Sequence, residues 1–381
     1  QKKRDGVLRW MDAYMDYGMV LDIPAWVARS PAGAKATGIS TYQEAVVATR
    51  INNDYWMKHR TGACKFLNVL QGENFADAED WYEQMKDYCD PVKYPDNHFN
   101  GWSMGGQNMC DVELLLKRIV TCHYDGLLQS GIHDVMHFLG TSKLEWATLL
   151  TDVQRAVRKH YNPTFMVTFD CASPFLATAN GQIYTSVETP VQGKWTYRMV
   201  PSVDELKYAS TYTVGDVNKI GTIKVLKGGV DLDKAGNPLL DADGNTTVRG
   251  RDSTSWDSFS YAIQMGHNVW THINAVQEAN RQYDAGNNPK MLMGSKFQIQ
   301  TIRDMINEVF EQPTRELSLA KIVEYRPFWM QVPGTRGAIG KKTISAKPMF
   351  DKLFDQPETE ADDIEFDEAK LEELTDEQLH R

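Results

Sequence analysis

The segment Met166-Val167-Thr168-Phe169-Asp170-Cys171-Ala172-Ser173-Pro174-Phe175 is the part of the chain from which the fold is inferred. Apolar and β-branched residues run directly into Asp170, and Pro174 follows four residues later. Proline is excluded from helix interiors and central strands, so we expect no regular element to continue through it. Buried parallel strands that deliver a carboxylate to the mouth of an α/β fold end in this way. By itself the segment favours a simpler interpretation, in which Asp170 only caps the following turn.

Four upstream segments repeat the pattern of a short apolar strand that ends in a polar residue or glycine. Their ends are at Asp22, Gln71, Gly106 and Gly140, so that with Asp170 the spacings are 49, 35, 34 and 30 residues. A helix is predicted in every gap, at about residues 42–59, 76–88, 112–120 and 144–160. This alternation predicts a parallel α/β fold, and its spacing suits a (β/α)8 barrel. A doubly wound sheet is the alternative, although no Gly-x-Gly-x-x-Gly opens a helix.

Changes in composition and pattern along the chain predict that it divides into five segments. We expect a barrel portion with the active site over 1–180, a β-rich insertion over 181–250 and a C-terminal helical part over 251–330 that packs on the barrel. A Gly- and Lys-rich basic loop follows over 331–354, and an acidic tail, predicted to be disordered, occupies 355–381.

Composition limits the function classes. The net charge of −10 arises in the tail, where 12 acidic residues face only Lys370 and Arg381, so residues 1–354 carry 39 acidic and 39 basic groups. A nucleic-acid partner is therefore compatible with the body of the chain. The five cysteines include no Cys-x-x-Cys pair, and no apolar run approaches the roughly 20 residues that span a bilayer. A cytoplasmic protein with free thiols and no membrane partner is expected.

The order of strand ends resembles the guanine transglycosylases: the tRNA-guanine enzymes and, more closely, the phage relatives that insert 7-deazaguanine bases into DNA. The matching stretches are Val20-Leu21-Asp22-Ile23-Pro24-Ala25-Trp26, Leu70-Gln71-Gly72, Ser103-Met104-Gly105-Gly106, His137-Phe138-Leu139-Gly140-Thr141-Ser142 and Phe169-Asp170-Cys171-Ala172-Ser173-Pro174. Asn180-Gly181-Gln182 and His267-Asn268 also match, so the resemblance covers about residues 1–182 and 255–290.

The resemblance implies a glycosyltransferase that exchanges bases at a glycosidic carbon. Asp170 would be the nucleophile that attacks C1′ of a guanosine or deoxyguanosine, expels guanine and holds a covalent glycosyl-enzyme. A carboxylate suits this role because it stabilises an oxocarbenium-like transition state before it bonds to it. The implied fold is a transglycosylase-type TIM barrel, of which about the last five strands are evident. The implied partners are DNA and a free base such as 7-cyano-7-deazaguanine, with no cofactor.

The resemblance also assigns the residues that bind the base. Asp22 would accept hydrogen bonds from the N1 and exocyclic amino edge of the purine, and Gln71 with the backbone N–H of Gly106 would meet its O6 side. Gly105 and Gly106 allow the backbone to approach a flat base closely. Gly140 is assigned to the same set.

Three further side chains near these strand ends have open alternatives. Trp26 and Trp102 are candidates to stack on the base, but packing in the core is an equal alternative for each. His137 is expected to be structural rather than catalytic.

Two departures from the family pattern bear on the prediction. The segment Asp-Ser-Gly-Gly-Phe, which supplies the family's second catalytic aspartate, is not in the sequence, whose first predicted strand corresponds to the family's fourth. Because five strands cannot close an eight-stranded barrel, we expect either a fragment or a barrel completed by a partner chain or second copy. The Cys-x-Cys-x-x-Cys zinc cluster of the tRNA enzymes is also missing, so no structural zinc is expected at His267.

Three functional hypotheses follow. The first is a DNA-guanine transglycosylase, in the host cytoplasm if a phage encodes it. The second is the same exchange on tRNA. The third is a non-catalytic nucleic-acid-binding subunit, which the missing second aspartate permits.

Overall fold

A computed structural model describes residues 2–201, 237, 258–292 and 301–332 of the chain. The basic loop over 331–354, apart from its first two residues, and the acidic tail lie outside the described residues. So does most of the predicted insertion after Pro201.

The described residues alternate strands and helices up to residue 179. The strands are β1 (Tyr17–Met19), β2 (Lys65–Leu70), β3 (Gly101–Met104), β4 (Val135–Phe138), β5 (Met166–Phe169), β6 (Gln182–Glu188) and β7 (Thr196–Pro201). The helices are α1 (Lys2–Tyr14), α2 (Ala25–Arg29), α3 (Pro31–Thr37), α4 (Tyr42–His59), α5 (Phe75–Met85), α6 (Val112–Tyr124), α7 (Leu144–His160), α8 (Ser173–Ala179), α9 (Ser258–Asp284), α10 (Ile302–Glu311), α11 (Arg315–Glu324) and α12 (Arg326–Trp329).

The first five strands form one parallel sheet in the order β1-β2-β3-β4-β5. The predicted parallel α/β arrangement is therefore confirmed. Strand order follows chain order without a reversal, so the sheet lacks the switch point that defines a doubly wound fold. The sheet is curled: Cα atoms of β2 and β4 approach within 8 Å although β3 lies between them. Flat strands at two spacings would be about 9.6 Å apart.

Helix α5 attaches to the sheet through buried polar contacts as well as apolar packing. Trp81 donates its indole N–H to the Val69 carbonyl at 2.9 Å, and the Asn68 amide donates to the Met85 carbonyl at 2.8 Å. Both side chains are fully buried. Because buried donors without acceptors are costly, these bonds fix the position of the helix along β2.

The chain between β1 and α4 differs from the loop that its Gly, Ala and Ser content predicts, because it contains α2 and α3. The hydroxyl of Ser30 accepts from the Gly33 N–H at 3.3 Å, Pro31 occupies the first turn, and Gly38 ends the helix in the left-handed conformation. These are ordinary helix start and stop signals. Pro174 likewise lies in the first turn of α8, where a missing N–H is tolerated.

The chain divides into two compact units. One holds the described residues up to Thr141, Leu149–Asp170 and those from Met291 onward, and so contains the parallel sheet. The other holds Ser142–Thr148 and the described residues between Cys171 and Lys290.

Within the second unit, α9 packs on α8 and on β6 of the antiparallel β6–β7 hairpin. Asn268 is the central contact: its Oδ1 accepts from the Tyr184 N–H at 3.0 Å, and its amide donates to the Gln182 carbonyl and the Thr178 hydroxyl, each at 3.0 Å. A fully buried amide with its bonds satisfied specifies one packing of helix on hairpin.

Helix α4 has the predicted bounds, and its capping box offers a test of the N-terminus. Thr41 Oγ1 accepts from the Glu44 N–H at 3.2 Å, and Glu44 Oε2 accepts from the Thr41 N–H at 3.1 Å. We expect Thr41→Ala to lower the free energy of unfolding by about 1 kcal/mol and to speed amide exchange at Glu44, whereas Thr41→Ser should preserve both. Urea unfolding and hydrogen exchange measure the effect; equal exchange in both variants would contradict the assignment.

Candidate functional site

The carboxyl ends of the five parallel strands lie along one edge of the sheet. Backbone bonds extend the pairing past the strand ends: the Val20 N–H donates to the Leu67 carbonyl at 3.1 Å, and the Gly105 N–H to the Leu70 carbonyl at 2.8 Å. The Leu139 N–H donates to the Met104 carbonyl at 3.1 Å. The residues that follow β1, β3 and β4 are therefore held by the sheet itself. In parallel α/β folds this edge is where functional groups collect.

Asp22 and Gln71, which follow neighbouring strands, form a hydrogen-bonded pair. Gln71 Nε2 donates to Asp22 Oδ2 at 2.8 Å, and Gln71 is buried. Desolvation raises the pKa of Asp22 to about 6, while the Gln71 bond opposes the rise. The folded state thus holds this proton more tightly than the unfolded chain, and stability falls as pH rises from about 4 to 6. A carboxyl group whose pKa is shifted in this way is typical of functional sites.

Gly105 packs directly against the Gln71 side chain, and Gly106 packs against the backbone of Gly72. A Cβ atom added at Gly105 would lie 2.6 Å from Gln71 Nε2, and one at Gly106 would lie 2.3 Å from the Gly72 carbonyl oxygen. Gly106 also has φ of 55°, which disfavours any side chain. Asn108, which is buried, donates to the carbonyls of Gln71 and Gly105 at 3.1 and 3.2 Å. Gly105 therefore leaves room for the Gln71 side chain to reach Asp22, and Gly106 allows the backbone to lie against Gly72.

Asp170 follows β5 and is the most exposed member of the predicted site, with 62% of its side chain accessible. Its Oδ1 accepts from His137 Nε2 at 3.2 Å and from the Gly140 N–H at 3.1 Å. The His137 bond, assisted by the Gly140 N–H, lowers the pKa of Asp170 below its ordinary value although burial opposes it. Among the described residues, no other side chain bonds to Asp170. Within these residues, its Oδ2 therefore has no hydrogen-bond partner.

The simpler interpretation of Asp170 as a turn cap does not match the contacts. The N-cap position of α8 is Ala172, and no side chain caps that helix. The carboxylate bonds backwards along the sheet edge instead, to β4 and the turn after it.

His137 connects Asp170 to β5. Its Nδ1 lies 2.9 Å from Thr168 Oγ1, and 13% of its side chain is exposed. The register of β4 and β5 pairs His137 with Thr168, and Asp170 lies two residues further along the same face. The contact of His137 with Asp170 was not predicted from the sequence. The alternation of Thr168 and Asp170 indicates that the two side chains share a face, but the strand register that brings His137 beside them is seen only in the structure.

The two tryptophan candidates have different environments. Trp102 is fully buried in β3, donates its indole N–H to the Leu127 carbonyl at 2.9 Å and lies against Tyr82 with ring centroids 5.8 Å apart. The structure thus places Trp102 in the core, away from any ligand that could stack on it. Trp26 lies in α2, four residues after Asp22, and is half-buried.

The predicted residues fall into two groups at this edge. Asp22, Gln71, Gly105 and Gly106 lie together after β1–β3, and Asp170 with Gly140 lies after β4–β5. Asp22 and Asp170 follow the two outermost strands of the sheet. Curling of the sheet brings such positions nearer to each other than a flat sheet would.

His267, the residue that the resemblance links to zinc, lies in the second unit. His267 is buried and its Nε2 lies 2.7 Å from the Tyr184 carbonyl, which indicates a structural contact with the hairpin. Cys171 Sγ lies 3.3 Å from His272 Nε2. Over the described ranges, no group of three or more His, Cys, Asp or Glu side chains is arranged to hold a metal ion. In the same residues, no helix combines the length and apolarity needed to cross a bilayer.

Comparison with known proteins gives no family assignment: no protein-family model matches the chain, and no curated protein matches it.

The hydrogen bond from Gln71 makes a testable contribution to the ionisation of Asp22. We expect Gln71→Leu to raise the pKa of Asp22 above its value of about 6 by roughly one unit, since a bond to a charged group contributes at least about 1.4 kcal/mol. Gly105→Ala should act in the same direction, because the added methyl displaces the Gln71 amide. Carboxyl carbon NMR titration measures the pKa. Gly6→Ala, at a glycine in α1 with no atom within 4 Å of an added Cβ and no left-handed φ, is the control; an unshifted Asp22 in Gln71→Leu would refute the pairing.

Proposed function

We propose that the protein is a base-exchange transglycosylase that replaces guanine in DNA with a 7-deazaguanine derivative through a covalent intermediate on Asp170. The main observation behind this proposal is the hydrogen-bonded pair of Asp22 and Gln71. The pair lies at the same edge of the sheet as Asp170. The curled parallel sheet supports the proposal, since such a sheet is compatible with part of a TIM barrel.

The Asp22–Gln71 pair is complementary to one edge of guanine. That edge presents two donors, the N1–H and the exocyclic amino group, beside the O6 acceptor. Ionised Asp22 only accepts, and Gln71 Nε2 has a second hydrogen beyond the one given to Asp22. Acceptor and donor thus stand next to each other in the order that guanine requires. The 7-deazaguanines share this edge, whereas adenine has no donor at N1 and no oxygen acceptor.

Asp170 supplies the chemistry of the exchange. Its Oδ2 forms a bond to C1′ while the C1′–N9 bond breaks, and the bonding electron pair leaves with guanine. The incoming base then forms N9–C1′ as the Oδ2–C1′ bond breaks and the carboxylate is regenerated. The low pKa of Asp170 keeps it ionised for attack and makes it a good leaving group in the second step.

The proton balance of the exchange closes without a co-reactant. Guanine takes up one proton at N9 as it leaves, and the incoming base releases one from N9. A carrier is needed for this proton, and the resemblance gives that role to the aspartate of the Asp-Ser-Gly-Gly-Phe segment, which residues 1–381 do not include. DNA is proposed as the polymer because the stretches around Asp22 and Asp170 resemble the phage enzymes more closely.

Incorporation of labelled base tests the proposal. We expect the protein to place radiolabelled guanine into duplex DNA, and Asp170→Asn to slow incorporation at least about a thousandfold, because the amide cannot form the glycosyl ester. Asp96→Asn, at an exposed carboxylate, is the matched control and should leave the rate unchanged. Label in tRNA alone would move the substrate to tRNA. Binding of nucleic acid without exchange would identify a non-catalytic subunit.

Recognition by Asp22 also predicts a pH dependence of base binding. Asp22 accepts from guanine only when ionised, so affinity for the free base should fall about tenfold for each unit below its pKa of about 6 and level off above it. Isothermal titration of 7-cyano-7-deazaguanine between pH 4.5 and 8 measures the slope. Asp22→Asn should bind weakly and without this dependence; wild-type affinity that is constant over the range would exclude Asp22 from the base-binding residues.

A further inference from the structure

We propose that His137 and Thr168 form a positioning relay for the nucleophile: Thr168 fixes the tautomer of His137, which holds Asp170 Oδ1 so that Oδ2 faces the sugar carbon. The proposal rests on the proposed function, and it gives a positioning role at this site to His137, which the sequence predicts to be structural, and to Thr168. In this proposal His137 and Thr168 act through Asp170 and do not contact the substrate.

The sheet supplies the geometry of the relay. His137 and Thr168 are register partners on β4 and β5, which places their side chains beside each other on one face. Asp170 follows on that face, two residues after Thr168. The two bonds of the ring, 2.9 Å from Nδ1 to Thr168 and 3.2 Å from Nε2 to Asp170, use both nitrogen atoms. An imidazole held at both nitrogens cannot flip or rotate without loss of a bond.

The direction of each bond follows from what each group can donate. An ionised carboxylate only accepts, so His137 Nε2 must bear the hydrogen that points to Asp170. In a neutral imidazole Nδ1 is then the acceptor, and the Thr168 hydroxyl donates to it. Thr168 is therefore the group that selects the useful tautomer. Valine at this position would have the same shape but no hydrogen to donate.

Two donors on one carboxylate oxygen also suit both steps of the exchange. His137 Nε2–H and the Gly140 N–H fix the plane of the carboxylate through Oδ1 and leave Oδ2 to attack. In the ester, Oδ1 becomes the carbonyl oxygen and keeps both donors. When the incoming base attacks C1′, charge returns to the carboxylate, and the same donors stabilise it. Donors placed where charge develops act most strongly in the transition state.

Among the described residues, the groups that lower the pKa of Asp170 are the His137 imidazole from β4, the Gly140 N–H from the turn after β4, and the backbone N–H of Asp170 itself. The loss of His137 should therefore raise the pKa of Asp170, since burial then meets less opposition.

Four substitutions separate positioning from simple packing. We expect His137→Leu to lower kcat for labelled-base exchange by roughly 10- to 100-fold, the effect of one bond to a charged group, with KM for the free base within twofold. His137→Gln, whose amide nitrogen can replace Nε2, should recover most of the rate. Thr168→Val should lower kcat severalfold, and Thr168→Ser should not. The acid limb of the kcat–pH profile should move to higher pH in His137→Leu but not in His137→Gln.

The outcomes separate this proposal from the function on which it rests. Carboxyl NMR titration of Asp170 needs no activity: a raised pKa in His137→Leu supports the contact even if exchange is absent. Wild-type protein that exchanges no base on DNA or tRNA ends both proposals. Two outcomes would overturn the relay alone, provided that the wild-type protein exchanges bases. The first is an unchanged kcat in His137→Leu. The second is a His137→Gln variant that is as slow as His137→Leu, with no shift of the acid limb of the kcat–pH profile in His137→Leu.

Discussion

The parallel register of five short strands is the constraint on which the candidate site depends. Parallel pairing puts every carboxyl end at the same edge, and bonds such as Gly105 N–H to the Leu70 carbonyl continue the pairing into the turns. Functional side chains on the first residues after a strand therefore inherit the precision of the sheet. A slip of one residue between β4 and β5 would turn Thr168 away from His137 and reverse the face on which Asp170 lies.

The same edge of the sheet holds two carboxyl groups, Asp22 and Asp170, whose pKa values are shifted in opposite directions. Asp22 is desolvated and has one side-chain donor, so its pKa rises to about 6. Asp170 is more exposed and has His137 and the Gly140 N–H on a single oxygen, so its pKa falls. Environments that separate the pKa values of two carboxyls are a common way to separate their tasks. Here the separation suits the proposed roles, recognition of the base by Asp22 and nucleophilic attack by Asp170.

The elements that the sequence predicts correctly are those whose signals are local in the chain. The bounds of β2, β5, α4 and α7 follow from apolar runs and strong periodicity, and they agree with the structure. Helices α2 and α3 were missed because Gly, Ala and Ser suggest a loop, although Ser30 and Gly38 are good caps. The His137–Thr168–Asp170 contacts depend on cross-strand register, which one sequence does not contain. Burial of Trp102 likewise depends on Tyr82 and Leu127, which lie far from it in the chain.

In the proposed function, the ionisations of Asp22 and Asp170 affect different kinetic parameters. A group that must be charged before the base binds affects kcat/KM, whereas one that must be charged within the complex affects kcat. Asp22 should therefore set an acid limit near pH 6 on kcat/KM for the free base. Asp170, with its lowered pKa, should allow kcat to persist into more acidic solution. If the same carboxyl both recognised the base and attacked the sugar, the two limits would coincide; two separate carboxyls at opposite ends of one strand edge require that they differ.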